Sequence, residues 1–182
     1  DEAIVGQSWH TYRWEAGGMA VLGSIQPQPV ETQPDGTLRL ADIAAAIGLG
    51  QFAQLNMITA QRRKLARHYF ATLGKDFEAQ TGAQLPPADF ENTNWHLFQV
   101  VLPERITRAD FMARMKDKNI GIGYHYAPIH LFKLYRAQGF KEGMFPIAER
   151  VGRQIVSLPM FAAMNENDVE RTCVAMCEVL EN

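Results

Sequence analysis

The chain has 182 residues, enough for one domain with a real core, and its 47% apolar and 21% charged residues are ordinary for a globular protein, which excludes disorder. Eighteen Lys plus Arg against twenty Asp plus Glu leave a formal net charge of -2 with no block of like charge, so neither nucleic acid nor a membrane is an expected partner. No apolar run approaches the ~20 residues of a membrane-spanning helix, and no charged-then-apolar leader opens the sequence, so the expected location is the cytoplasm.

Residues 1–36 carry two Trp, a Gly pair and the Pro- and Gln-rich stretch GSIQPQPVETQPDG. Each proline removes a donor and restricts the residue before it, so this segment is expected to be an irregular arm or linker without a regular helix or central strand. Asp1 stands where a Met would open a gene product, which suggests that the chain is a piece of something longer.

From Leu40 the pattern changes. Apolar residues at 40, 43, 44, 47, 55, 58, 65 and 69 lie close to one helical face, with no proline among them, and predict one long helix from about Leu40 to Leu73 that ends at Gly74. Its small-sided AAAIGLG stretch suits close helix packing. Past the turn LPPADF, WHLFQVVLP reads as a strand ended by Pro103. Thr107 is the expected N-cap of the helix RADFMARMKDKN, which carries Phe111 and Met115 four apart on one face.

IGIGYHY follows as a short strand or extended loop, HLFKLYRAQG and FPIAERVGRQI as short helices, and VSLPMF as an extended segment. Asn165 caps a last helix in which Val169, Cys173, Met176, Cys177 and Leu180 recur at helical spacing. The two cysteines, four apart on that helix, cannot easily bridge and make too small a set for a metal, so they read as core residues. The whole is a mixed α/β (α+β) pattern: a small, mostly antiparallel sheet covered by helices, with one long N-terminal helix and no internal repeat.

The sequence holds no G-x-G-x-x-G after a strand, no P-loop, no G-x-S-x-G and no H-E-x-x-H. Of the histidines, only His125 and His130 are close in sequence, so a metal site is not expected. They belong to GIGYHYAPIH, residues 121–130, in which Gly121 and Gly123 permit close approach, Pro128 stiffens the turn, and imidazole and phenol groups offer hydrogen bonds near neutral pH. Such a loop suits an anionic or hydroxyl-rich ligand; the alternative is a structural loop whose His and Tyr side chains are bonded internally.

That loop resembles the H-Y-x-P-x-H signature in the C-terminal part of the DegT/DnrJ/StrS family of PLP-dependent aminotransferases, which mostly act on keto sugars linked to nucleotides. LADIAAAIGLGQFAQL, RRKLARHYF, NWHLFQVVLP, the loop block and FPIAERVGRQIVSLPMFAAMNENDVERT follow in the family's order, so the likeness spans residues 37–180. It implies the small C-terminal domain (37–182) of a fold-type I transferase whose large domain, holding pyridoxal 5'-phosphate and the Schiff-base lysine, lies outside this chain. None of Lys64, Lys75, Lys116, Lys118, Lys133 and Lys141 matches that lysine, so no catalytic residue is assigned here, and the chain alone is expected to be inactive and to bind no PLP.

The resemblance further implies a homodimer, or association with the missing large domain, in which the segment before the long helix reaches a cofactor phosphate. The family commonly has N-Y-R-M-T-D there, and this chain has Thr37-Leu38-Arg39-Leu40-Ala41-Asp42. Thr37 and Arg39 are thereby the expected cofactor contacts, with a surface pair as the other reading of Arg39. His125, Tyr126 and His130 are carried over as substrate-binding residues that contact the sugar or diphosphate. The expected reaction is a ping-pong transfer of an amino group from a donor such as glutamate. The alternative is a non-catalytic interaction or regulatory module derived from the same small domain.

Overall fold

The computed structural model describes residues 2–6 and 26–181, with side chains from residue 29 onward; His10 and the Trp and Gly pairs of the arm lie outside the described residues. The chain divides into two compact units, Asp1–Met57 and Ile58–Asn182.

In the first unit, β1 (Glu2–Gly6) pairs in parallel with β2 (Gln26–Val30), Glu2 opposite Gln26 and Gly6 opposite Val30. The expected irregular arm is thus corrected over residues 2–6 and 26–30, which are strands, although in a two-stranded sheet neither is a central one. Pro27 and Pro29 stand two apart in β2, and alternate residues of a strand point their N–H groups to the same edge. Both missing donors therefore fall on one edge, and the other edge keeps its own. A turn at Gly36 (φ 85°) then brings Leu38 back beside Thr32, and α1 (Leu40–Ala53) follows.

The single helix expected over Leu40–Leu73 is also corrected: it breaks at Gln54, and α2 (Leu55–Leu73) begins anew. Gly48 and Gly50 each weaken the last turns of α1 by roughly 1 kcal/mol relative to Ala. At the break the Gln54 amide donates to the Gln51 and Phe52 carbonyls, and its side-chain amide reaches back to the Gly50 carbonyl. The backbone bond that would have continued the helix is replaced by shorter-range ones. The end of α2 agrees with the expectation: Gly74, at φ 76°, donates to the Phe70 carbonyl.

The second unit is built on β3 (Phe98–Val101) and β4 (Ile155–Leu158), antiparallel, with Phe98 opposite Leu158 and Val100 opposite Val156. Gln84 bridges to Val101 on the outer side of β3, and Gly123 bridges to Ser157 on the outer side of β4, so each strand is flanked by one further antiparallel contact. Phe98 and Val100 are buried while Gln99 and Val101 are partly exposed, the period-two pattern of a sheet with one packed face.

Against that face lie α2, α4 (Arg108–Asp117) and α7 (Glu166–Glu181), with the short α3 (Phe77–Thr81), which the sequence reading missed, beside them. Tyr69 stacks on Phe98 with ring centroids 4.5 Å apart, and Phe70 meets Phe98 and Trp95 edge-on. Phe111 and Met115 from α4 and Val169, Cys173 and Met176 from α7 complete the core. The caps are as expected: Thr107 Oγ1 accepts from the Asp110 amide, and Asn165 and Asp168 exchange side-chain-to-backbone bonds at the start of α7.

Between the strands run a 3-10 turn (Ile129–Leu131), α5 (Lys133–Arg136) and α6 (Pro146–Gln154). This region positions the candidate site.

Candidate functional site

The 121–130 loop leaves the sheet at Gly123, whose amide and carbonyl bond the carbonyl and amide of Ser157 at 3.2 and 2.8 Å. His125 is then tied down twice. Its Nδ1 lies 2.9 Å from Ser157 Oγ, and its carbonyl accepts from the Gln99 side-chain amide, so both strands hold it. Among the described residues no protein group bonds its Nε2. The next peptide bond, His125–Tyr126, is cis. The Tyr126 ring stands edge-on to His125 at 4.8 Å and is 68% exposed, the most open of the three expected substrate residues.

His130 differs from both. It is buried, with Nε2 2.9 Å from Glu149 Oε1 and its ring edge-on to Phe145 at 4.8 Å. The other internal reading of the loop, His and Tyr groups bonded within the fold, therefore describes His130, and His125 in part. Tyr124 has the Arg108 guanidinium 4.1 Å over its ring. Arg108 also donates to the Gly152 carbonyl.

Beside it, a cleft of about 600 Å³ opens between α4 and α6, with Arg108, Arg150 and Arg153 around an apolar floor of Ile106, Ala109 and Met112. Sequence reading missed Gln99, Arg108, Glu149 and Ser157. They lie 26, 32 and 19 residues from their loop partners in the cases of Gln99, Ser157 and Glu149, and no local pattern marks such pairs.

The expected cofactor contacts belong to the first unit. The Thr37 amide and hydroxyl both donate to Asp35 Oδ1, at 3.0 and 2.7 Å. Those bonds hold the Asp35 carboxyl below its usual value. Arg39 donates through Nε to Asp42 Oδ2 at 2.8 Å and reaches Glu31 at 3.4 Å, so its guanidinium, further stabilised in its charged form by Asp42, stands between two carboxylates. All three side chains line one cavity of about 240 Å³. In this arrangement the Arg39 guanidinium is already paired within the chain, as in the surface-pair reading, through exposed ion pairs that are individually weak.

All the lysines are exposed, and Lys64 and Lys118 are paired with Glu166 and Glu178 on the surface of the second unit. Among the described residues no three His, Cys, Asp or Glu side chains gather as a metal-ligand set, and no single helix is long and apolar enough to cross a membrane.

A small antiparallel sheet covered by helices is a fold this chain shares with PLP-dependent sugar aminotransferases. The DegT/DnrJ/EryC1/StrS aminotransferase family matches residues 19–177, and the chain belongs to that family. The match begins inside the arm, for which the sequence reading found no counterpart.

The UDP-4-amino-4-deoxy-L-arabinose--oxoglutarate aminotransferase of Shewanella sediminis is 32% identical over 167 residues, which are 86% of this chain and 42% of that protein. The spore coat polysaccharide biosynthesis protein SpsC of Bacillus subtilis is 28% identical over 154 residues, 81% of this chain and 39% of its own length. The chain thus spans about two fifths of these relatives.

Among solved structures, DesV of S. venezuelae in complex with a ketimine intermediate superposes with a TM-score of 0.66 at 28% identity, over 76% of this chain and 36% of that one. DesI in the presence of its TDP-sugar product superposes with a TM-score of 0.67 at 21% identity, over 78% and 36%, and bears on the fold alone.

Proposed function

We propose that this chain is the C-terminal part of a PLP-dependent aminotransferase that moves an amino group from an amino acid such as glutamate to a nucleotide-linked keto sugar. The cofactor and its lysine are supplied by a large domain outside this chain, and the cofactor provides the electron sink of the transfer. The observation that carries the reading is the 121–130 loop: fastened at His125 and His130, it presents Tyr126 outward, in a chain whose relatives include a named UDP-sugar aminotransferase.

In this reading the loop is a wall of the substrate pocket. Tyr126 and the free Nε2 of His125 meet hydroxyl or diphosphate oxygens, and His130 holds the wall in place. These residues orient the substrate and break no bond. Leu40, Ile47, Leu49 and Phe52 leave exposed apolar side chains on more than one side of α1 in the first unit, which the large domain or a second subunit covers.

The test is to purify the native protein that contains this chain and incubate it with glutamate and UDP- or TDP-linked 4-keto sugars, following amino-sugar product by mass. A product supports the reading. Tight binding of the sugar nucleotide without turnover by the PLP-loaded protein would instead favour the non-catalytic module.

A further inference from the structure

Helix α6 grips the end of the loop at two points, through residues that stand outside the loop motif. The Glu149 carboxylate, 3% exposed, holds three donors, one of them shared between its two oxygens. Oε1 takes the His130 Nε2 at 2.9 Å, the Gly143 amide at 2.9 Å and the Phe145 amide at 3.2 Å, and Oε2 takes the Gly143 amide at 3.0 Å. One turn further along the same face, Gly152 lies against Pro128: a Cβ there would sit 2.5 Å from Pro128 Cδ and 2.6 Å from Cγ. A proline ring cannot swing aside as a flexible side chain can, so even an alanine would push the loop off the helix.

We propose that Glu149 and Gly152 are positioning residues for the substrate loop: Glu149 fixes His130 with its proton on Nε2, Gly152 seats Pro128, and together they set where Tyr126 and His125 stand. The inference rests on reading the loop as the substrate wall. Its chemistry is direct. An ionised carboxylate only accepts, so whichever charge His130 carries, the nitrogen facing Glu149 bears a hydrogen.

Charge on Glu149 is itself favoured by the Gly143 amide first, which with the Phe145 amide and His130 outweighs the burial that opposes it. Removal of the carboxylate leaves the buried His130 without the partner of its Nε2. With Gly123 and His125 held by β3 and β4 at the other end, four fixed points frame the exposed Tyr126.

The experiment uses the native protein containing this chain, as wild type, E149Q and G152A. Two readouts are taken: the ring-nitrogen resonances of selectively labelled His130, and the two half-reactions measured separately, glutamate with the PLP form and keto-sugar nucleotide with the aminated form. The proposal expects the Nε2–H form of His130 in the wild type, and in E149Q, whose amide oxygen still accepts but carries no charge, a weaker bond read as a shifted Nε2 resonance. In G152A it expects a KM for the sugar nucleotide raised about tenfold, with the glutamate half-reaction changed by less than about twofold.

G152A slowing both half-reactions alike would mean a merely structural role and overturn the proposal, as would a wild-type His130 protonated on Nδ1 alone. Should E149Q not fold, G152A and the wild-type resonance carry the decision. A wild type that aminates no sugar nucleotide sinks the reading of the function, while the His130 resonance, independent of turnover, still decides whether the clamp exists.

Discussion

Nδ1 of His125 lies 2.9 Å from the hydroxyl of Ser157, a residue of β4 that is itself buried, so the sheet edge dictates which way this imidazole faces. Ser157→Ala removes the one side-chain bond to the ring among the described residues while keeping the strand. It is expected to raise the KM for the sugar nucleotide about three- to tenfold, a loss of about 1 kcal/mol in positioning, with kcat little changed. Steady-state kinetics of the native protein checks it, and an unchanged KM would remove His125 from the substrate wall.

Tyr69 is fully buried, and its hydroxyl donates to the Pro159 carbonyl at 2.8 Å. Burial pushes its phenol far above its usual value, so it donates at every working pH. Tyr69→Phe keeps the stack on Phe98 and strands a carbonyl, and should cost about 1–2 kcal/mol. Urea unfolding reads this as a lower midpoint at unchanged slope.

Acid should weaken the fold through Glu149. Its carboxyl is held below the ordinary value of 4.5, chiefly by the Gly143 amide. A carboxyl depressed in the folded state adds stability that is fully present above its unfolded value and is lost as pH falls through the folded one. Asp89, held down by Asn92, and Glu166, held down by Lys64, act with the same sign. Unfolding midpoints measured downward from about pH 6 should therefore fall once pH drops below about 4.5, and E149Q should show a shallower fall. Parallel curves for the two proteins would contradict the assignment.

The cysteines of α7 should differ in reactivity. Burial pushes the Cys173 thiol up to about 12, and Cys177, half-buried, is raised by burial and then by Glu181. Both are poor nucleophiles at about pH 8, where only thiolate reacts. Iodoacetamide labelling with peptide mass mapping should show slow modification of Cys177 and none of Cys173 until denaturant is added. Fast labelling of Cys173 in the folded protein would place it outside the core.

What was legible in the amino-acid order was local. The apolar stripe of α7, the caps at Thr107 and Asn165, the αL stop at Gly74 and the strand before Pro103 each depend on neighbours within a turn or two of chain, and the structure has them where their spacing placed them. The ordered run of motifs from residue 37 to 180 likewise pointed to the family that matches residues 19–177.

Other features were decided in three dimensions. Strand β2 forms across its prolines because β1, some twenty residues away in the chain, pairs with it in parallel. The helix expected to run unbroken stops at Gln54, where glycine-weakened turns yield to side-chain and short-range backbone bonds. The composition of GIGYHYAPIH suited a ligand loop and an internally bonded one alike, and could not separate the partly exposed His125 from the buried His130. That difference is made by Glu149 and Ser157, which reach the loop only after the chain has folded back, and burial and hydrogen-bond partnership over such separations are properties of packing with no local signature.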